Sequence, residues 1–210
     1  MAPHRIEMTC PPERLARNEE NRRRLEACGR FARTDRVPVQ LSLNQRYCFW
    51  ARGAGIADYY ENPRTQLEQQ LLNHRWIIEH LVDDRVVDEA RVTVAPGLDT
   101  VRGGYFATRF KLDVDGSAMA IPILEQAEDI AALEVPEVTA NLYGLKLAWY
   151  HAMRELAADY EVTLNGRPLE IKVSVSGAGG PAPISTPKAM PTLHCWPSCP
   201  PPSRGKNSGN

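Results

Sequence analysis

No stretch of this sequence approaches the ~20 consecutive apolar residues that a membrane-spanning helix needs, and the residues after Met1 lack the apolar core of a secretory signal. An excess of charge is missing too. Among 210 residues, 25 Lys+Arg stand against 26 Asp+Glu, which leaves no electrostatic footprint for a nucleic-acid binder or a polybasic membrane-surface protein. Lysine is scarce, five residues against twenty arginines. Guanidinium suits bidentate capture of carboxylates and phosphates, but GC-rich codon usage gives the same count, so each arginine is judged by position. The five cysteines, at 10, 28, 48, 195 and 199, are odd in number and scattered. They read as reduced thiols of a cytoplasmic protein rather than a disulfide framework.

Acidic residues are absent from the last thirty positions, where eight of the 17 prolines gather. Proline removes backbone donors and stops helices, so 185–210 is expected to be a disordered Pro-rich tail. Residues 1–12 read as a flexible N-terminus. Between them, helical and strand patterns alternate. A polar helix is expected over 13–33, with Leu15, Leu25, Cys28 and Phe31 as sparse apolar contacts and its arginines as a solvated face. Val39, Leu41 and Leu43 alternate with Gln40 and Ser42 at strand period. Asn62-Pro63 is an N-cap followed by a first-turn proline. Leu67, Leu71, His74, Ile78 and Leu81 then lie on one helical face, which makes His74, like His80, structural. Arg91–Ala95 is a second strand. Residues 105–112 and 118–123 flank an Asp-Gly turn as a hairpin. Helices are expected over 125–133 and 142–160, the latter with Leu145, Ala148, Trp149, Ala152, Met153 and Leu156 apolar. Asn165-Gly166 turns the chain into a third strand over 169–175. This order predicts an α/β fold with a parallel sheet and ligands beyond the carboxyl ends of the strands.

The run from Asn21-Arg22-Arg23-Arg24-Leu25-Glu26-Ala27 through Thr34-Asp35-Arg36-Val37-Pro38-Val39 resembles the opening of the uroporphyrinogen decarboxylase family. Gln45-Arg46-Tyr47, Asp58-Tyr59-Tyr60 with Asn62-Pro63, the paired strands after Pro96, Ala131-Leu133-Val135-Pro136 and the Gly177–Pro181 segment continue the likeness over about residues 15 to 183. It implies a partial (β/α)8 TIM barrel over 13–184, an amino-terminal portion with about three barrel strands, since a whole barrel takes ~250 residues. Open strand edges then favour a homo-oligomer. The resemblance implies tetrapyrrole chemistry, either decarboxylation of uroporphyrinogen or methyl transfer with a corrinoid protein. Arg46 is its anion-binding candidate; Tyr47 and Asp99 are further pocket candidates.

Two departures bear on that chemistry. Where the decarboxylases carry two arginines after the first strand, Arg46 matches the second, while the first falls at Leu43 or Asn44. Where they carry an Asp after the second strand, Pro96 stands, with Asp99 three residues later. Four acidic pyrroles need several cations, and pyrrole protonation needs a fixed polar partner. The sequence therefore leans to the corrinoid and methyltransferase-like side, and this form is expected to lack decarboxylase activity. No cofactor is expected within the chain; corrinoid and zinc belong to full-length relatives. His194-Cys195-Trp196-Pro197-Ser198-Cys199 lacks the usual Cys-x-x-Cys spacing and a fourth ligand. The glycines at 177, 179 and 180 precede Pro181 rather than a helix start, a poor phosphate cradle. A non-catalytic fragment and a small α/β binding protein with a disordered arm remain the alternatives.

Overall fold

A computed structural model describes residues 3–43, 45–55, 58–98, 110–112, 118–122, 124–137 and 139–174. The chain divides into Met1–Ala178 and Gly179–Asn210; the second unit, with the Pro-rich tail and the His194–Cys199 cluster, lies outside the described residues, as do Asp99 and Gly177–Pro181. The first unit is a mixed α/β structure. Its elements are β1 (His4–Met8), α1 (Pro12–Ala16), α2 (Asn18–Gly29), α3 (Gln45–Arg52), α4 (Pro63–His80), β2 (Arg91–Val94), β3 (Phe110–Leu112), β4 (Ala118–Ala120), a 3-10 segment (Ala127–Ala132), α5 (Asn141–Leu156), β5 (Tyr160–Leu164) and β6 (Arg167–Val173). No described helix is long and apolar enough to cross a membrane.

The main sheet has the order β1-β5-β6-β2. β1 runs parallel to β5 (His4 opposite Tyr160), β2 parallel to β6 (Arg91 opposite Glu170), and β5 antiparallel to β6 (Val162 opposite Leu169). The expected all-parallel sheet is thus corrected to two parallel pairs joined back to back. The cause is local. Asn165 and Gly166 both adopt positive φ, 49° and 77°, the conformation of a tight hairpin turn that Asn-Gly favours, and the turn reverses β5 directly into β6. β5 starts at Tyr160, the last residue of the expected helix, in a stretch where the sequence predicts no strand: α5 stops at Leu156, and Tyr160, Val162 and Leu164 turn inward at period two. Residues 3–12, expected to be flexible, supply β1 and the start of α1. Ile6 and Met8 enter the core beside Leu67, Leu71, Val92, Val94, Met153 and Val162, and α4 and α5 pack on this face. Arg5, Glu7, Glu161 and Lys172 on the strands are exposed, so the sheet buries one face and wets the other. The hairpin β3–β4 is present as a separate antiparallel pair; residues 105–109 and 113–117 lie outside the described residues.

α4 starts as its sequence predicts, with Asn62 Oδ1 accepting from the N–H groups of Arg64 (2.9 Å) and Thr65 (3.4 Å). The polar helix of 13–33 is broken at Arg17 and ends at Gly29. Phe31, expected as an apolar contact, is 99% exposed. The buried face of α2 is instead Asn18, Asn21 and Arg24. Asn18 Nδ2 donates to the Val87 carbonyl (2.8 Å), and its Oδ1 accepts from the Val87 N–H (2.9 Å). Arg24, expected on a solvated face, donates to Asp35 (2.8 and 2.7 Å) and to Glu20, and lies 3.7 Å from Asp84.

The segment 39–43, expected as the first barrel strand, forms no strand. Its backbone is held by side chains instead. The Val39 N–H donates to Asp84 Oδ2 (2.8 Å) and the Leu41 N–H to Asp83 Oδ2 (3.0 Å). The Val39 carbonyl accepts from the Asp84 N–H (2.8 Å), and the Leu41 carbonyl from Arg85 Nη2 (2.7 Å). One edge of this segment is therefore filled by Asp83, Asp84 and Arg85, leaving Val39 and Leu41 about half exposed. Asp84 also carries both Arg36 guanidinium nitrogens, Nη1 at 2.5 Å. Those bonds, and then the Val39 N–H, hold its carboxyl at a pKa of about 2. A depressed carboxyl contributes stability above its unfolded value, near 3.8, and loses it as the pH falls to about 2. Asp84→Asn should accordingly cost ~1.5–3 kcal/mol near neutral pH. Urea midpoints of the variant and the parent should converge as the pH drops from 4 to 2.

Candidate functional site

Besides a cleft of about 630 Å³ at the amino end of β2, beside Ala90 and Arg91, two clefts lie along the strand and past it. The larger of these two, about 620 Å³, runs beside Arg91–Thr93. The smaller, about 340 Å³, sits past the carboxyl end of β2, where Ala95, Pro96, Gly97 and Leu98 form its rim. It gathers the polar side chains expected of a ligand site at that end of a sheet: Gln45, Tyr59, Asn73 and Lys146.

α4 fixes the rim. Its residues Gln66, Gln70 and His74 follow at four-residue spacing, hence on one face, and run along the outer edge of β2. The Gly97 N–H donates to Gln66 Oε1 (2.6 Å), and Gln66 Nε2 donates to the carbonyls of Tyr59 (3.0 Å) and Gly97 (3.4 Å). The Ala95 N–H donates to Gln70 Oε1 (3.0 Å), with Gln70 Nε2 donating back to the Ala95 carbonyl (2.7 Å). His74 Nε2 is 2.8 Å from the Thr93 carbonyl and donates to it, since a carbonyl can only accept. Burial, and less strongly nearby Arg85, lower the His74 pKa against the opposing bond to Thr93, so the ring is neutral at neutral pH. The structural role expected of His74 has this specific content. Gly97 sits at a close approach: a Cβ there would lie 3.0 Å from the Tyr59 hydroxyl, so a side chain would make that ring shift by a few tenths of an ångström.

Lys146 enters from α5. Its residue is 4% exposed, on the same helical face as Trp149 and Met153, while Leu145 and Leu147 face out. The apolar stripe expected over 145–156 holds from Trp149 through Met153 to Leu156, but Leu145 and Ala148 are exposed and a lysine continues the buried face instead, a residue that sequence reasoning passed over. A buried cation is retained where carboxylates, carbonyls or an anionic ligand meet it. Spacing could have found it, because Lys146, Trp149, Met153 and Leu156 keep the three-four-three interval of a buried face.

Of the site residues expected from sequence, Arg46 and Tyr47 are not among the residues lining this cleft. Gln45, at the first position of α3, lines the cleft and donates to the Tyr60 hydroxyl (2.5 Å). Arg46 is the next residue of α3, half-buried. Tyr47 is 45% exposed, its ring 5.8 Å from those of Trp50 and Trp76. Asp99 lies outside the described residues. The arginine that ties α3 to α4 is Arg52, which donates to Asn73 Oδ1 (2.8 and 3.1 Å) and Gln69 Oε1 (2.6 Å); sequence reasoning missed it. Among the described residues no group of three His, Cys, Asp or Glu stands close enough to hold a metal ion, so the described part offers no fit for a zinc site. Comparison with protein-family models, curated proteins and solved structures finds no match.

Proposed function

We propose that this chain is a uroporphyrinogen-decarboxylase-like protein, an amino-terminal portion of the barrel, that binds a carboxylate arm of a tetrapyrrole in the cleft past β2 without decarboxylating it. The observation that carries this reading is the buried Lys146 in a polar cleft at the carboxyl end of β2, reached also by Gln45, the residue that opens the Gln45-Arg46-Tyr47 likeness. The parallel pair β2–β6 is the part of the sheet that a barrel reading can use. A lysine ammonium and neutral amides bind a carboxylate through charge-assisted hydrogen bonds; among the described residues lining the cleft there is no carboxyl group of the kind that the resemblance calls for at a pyrrole. Pro96 on its rim stands where the resemblance calls for an Asp. Methyl transfer with a corrinoid therefore fits the sequence better than decarboxylation, although no step through a corrinoid or zinc follows from the residues described.

Uroporphyrin III, a fluorescent octacarboxylate, serves as the probe. Its anisotropy titration should saturate with the full chain, and Lys146→Met should weaken binding ~10-fold or more, the loss expected when a charged hydrogen bond of ~1.5–3 kcal/mol is removed. Arg46→Ala tests the residue that the resemblance favours. Saturable binding unchanged in both variants, each with parental circular dichroism, would refute the assignment, as would no binding at all. Anaerobic incubation with uroporphyrinogen should give no decarboxylated product; turnover near ~1 per second would overturn the non-decarboxylating half of the reading.

A further inference from the structure

The cleft beside Arg91–Thr93 is bordered by two stretches of extended backbone whose cleft-facing groups are only partly satisfied. On β2, the Glu170 N–H bonds to the Ala90 carbonyl and the Ser174 N–H to the Val94 carbonyl. Even-numbered residues of this stretch therefore face β6, and Arg91 and Thr93 face away. On that outer edge Asp88 takes the Arg91 N–H (3.2 Å) and His74 the Thr93 carbonyl. The Arg91 carbonyl and the Thr93 N–H keep no partner among the described residues. They are the acceptor and donor that a single residue of a parallel neighbouring strand engages.

The opposite border is Gln40–Leu43. Val39 and Leu41 spend their backbone groups on Asp83, Asp84 and Arg85. Two residues apart and bonded to the same side, they mark extended backbone, which turns the groups of Gln40 and Ser42 the other way. Neither residue has a hydrogen-bond partner among those described. Between the borders the cleft is lined by Ile77, Ile78, Val92 and Leu169. Its charged residues are already matched: Arg85 donates to Asp83 (2.9 Å) and Arg91 to Asp88 (3.0 Å).

We propose that this cleft accepts one extended, uncharged segment of a partner protein as an inserted strand, with branched apolar side chains at alternate positions. Unpaired backbone groups on both borders supply affinity for a main chain of any sequence. The apolar lining sets the alternation. The internally paired arginines offer no counter-charge to an acidic segment, which excludes the phosphorylated or acidic peptides that free arginines would draw. Asp88 and His74 already hold the outer Arg91 N–H and the Thr93 carbonyl, so on β2 the inserted strand pairs through one residue, opposite Val92, while its neighbours lie along the ~13 Å of the 40–43 border. The inference is independent of the tetrapyrrole reading, because it uses the edge of β2 and not its carboxyl end.

The test is anisotropy of fluorescein-labelled acetyl-Lys-Val-Thr-Val-Thr-Val-Lys-amide titrated with the full chain. Saturable binding is expected. It should weaken at least tenfold when the central valine of the peptide is N-methylated, which removes one donor and leaves the apolar side chains in place. Ser42→Pro, which removes a donor that has no internal partner, should weaken it comparably. Gln40→Pro is the second variant, should the first alter the circular dichroism of the chain. Absence of saturable binding overturns the proposal. So does equal binding of the N-methylated peptide, which would show apolar adhesion rather than strand insertion.

Discussion

Replacing Gln66 by leucine should destabilise the protein by about 3–5 kcal/mol, although the substitution conserves most of the volume. The Gln66 side chain is fully buried and carries three hydrogen bonds, two with Gly97 and one with Tyr59. Leucine leaves the Gly97 N–H and two carbonyls without partners in a closed environment. Each stranded buried group costs ~1–3 kcal/mol, and neighbouring losses do not add fully. Domains of this size are stable by only ~5–15 kcal/mol, so the variant should unfold at a markedly lower urea concentration. Gln66→Glu is the informative companion. It retains the acceptor for the Gly97 N–H, but an ionised carboxylate would face two carbonyl oxygens in a closed site, so this variant should lose stability as the pH rises and its carboxyl ionises. A leucine variant as stable as the parent would mean that the edge of β2 does not depend on α4.

The second large effect is expected at Leu71. Its side chain is completely inaccessible, in the core that also holds Val92, Val94 and Met153. Leu71→Ala removes buried methyl groups and leaves a cavity that packed neighbours fill only in part, a loss of ~2–5 kcal/mol. Leu145→Ala is the matched control. Leu145 belongs to the apolar run expected over 145–156 of α5 but is 42% exposed, and its truncation should change stability by no more than ~0.5 kcal/mol. Beside Met153→Ala, where truncation of a fully buried side chain should cost ~2–5 kcal/mol, chemical denaturation of Leu145→Ala reads out the register of α5.

That register shows where the sequence is legible. Helix α4 announces itself through Asn62-Pro63 and its leucines, and the hairpin turn through Asn165-Gly166, because these signals are local and depend on backbone sterics alone. The interior polar groups do not announce themselves. Asn18, Gln66, Gln70 and Asn165 each bind both the N–H and the carbonyl of one distant residue: Val87, Gly97, Ala95 and Cys10 respectively. A primary amide has the same donor and acceptor as a peptide group, so it can complete a backbone edge as another strand would. Periodicity scores such residues as solvent-facing. The same blindness hides Lys146, and it hides the acidic residues that hold 39–43. That segment alternates as a strand should, but whether alternation becomes a ladder depends on what lies alongside it, and here Asp83, Asp84 and Arg85 do. Of the candidate site, Gln45 and Tyr59 fall within stretches the resemblance marked, while Lys146 and Asn73 emerge only when α4 and α5 are seen packed.

The pairing of β1 with β5 also orders events in time. His4 sits opposite Tyr160, a separation of 156 positions, whereas β5 and β6 are joined by a two-residue turn. Contacts close in sequence form fast and distant ones slowly, because the closure entropy of the intervening loop comes first. On a chain emerging from the ribosome, Ile6 and Met8 must wait, exposed, until nearly all of the described chain has been made. The β5–β6 hairpin should therefore nucleate, and β1 should dock last. It follows that a short deletion at the amino end should leave folding almost as fast as before but speed unfolding, the kinetic mark of contacts absent from the transition state.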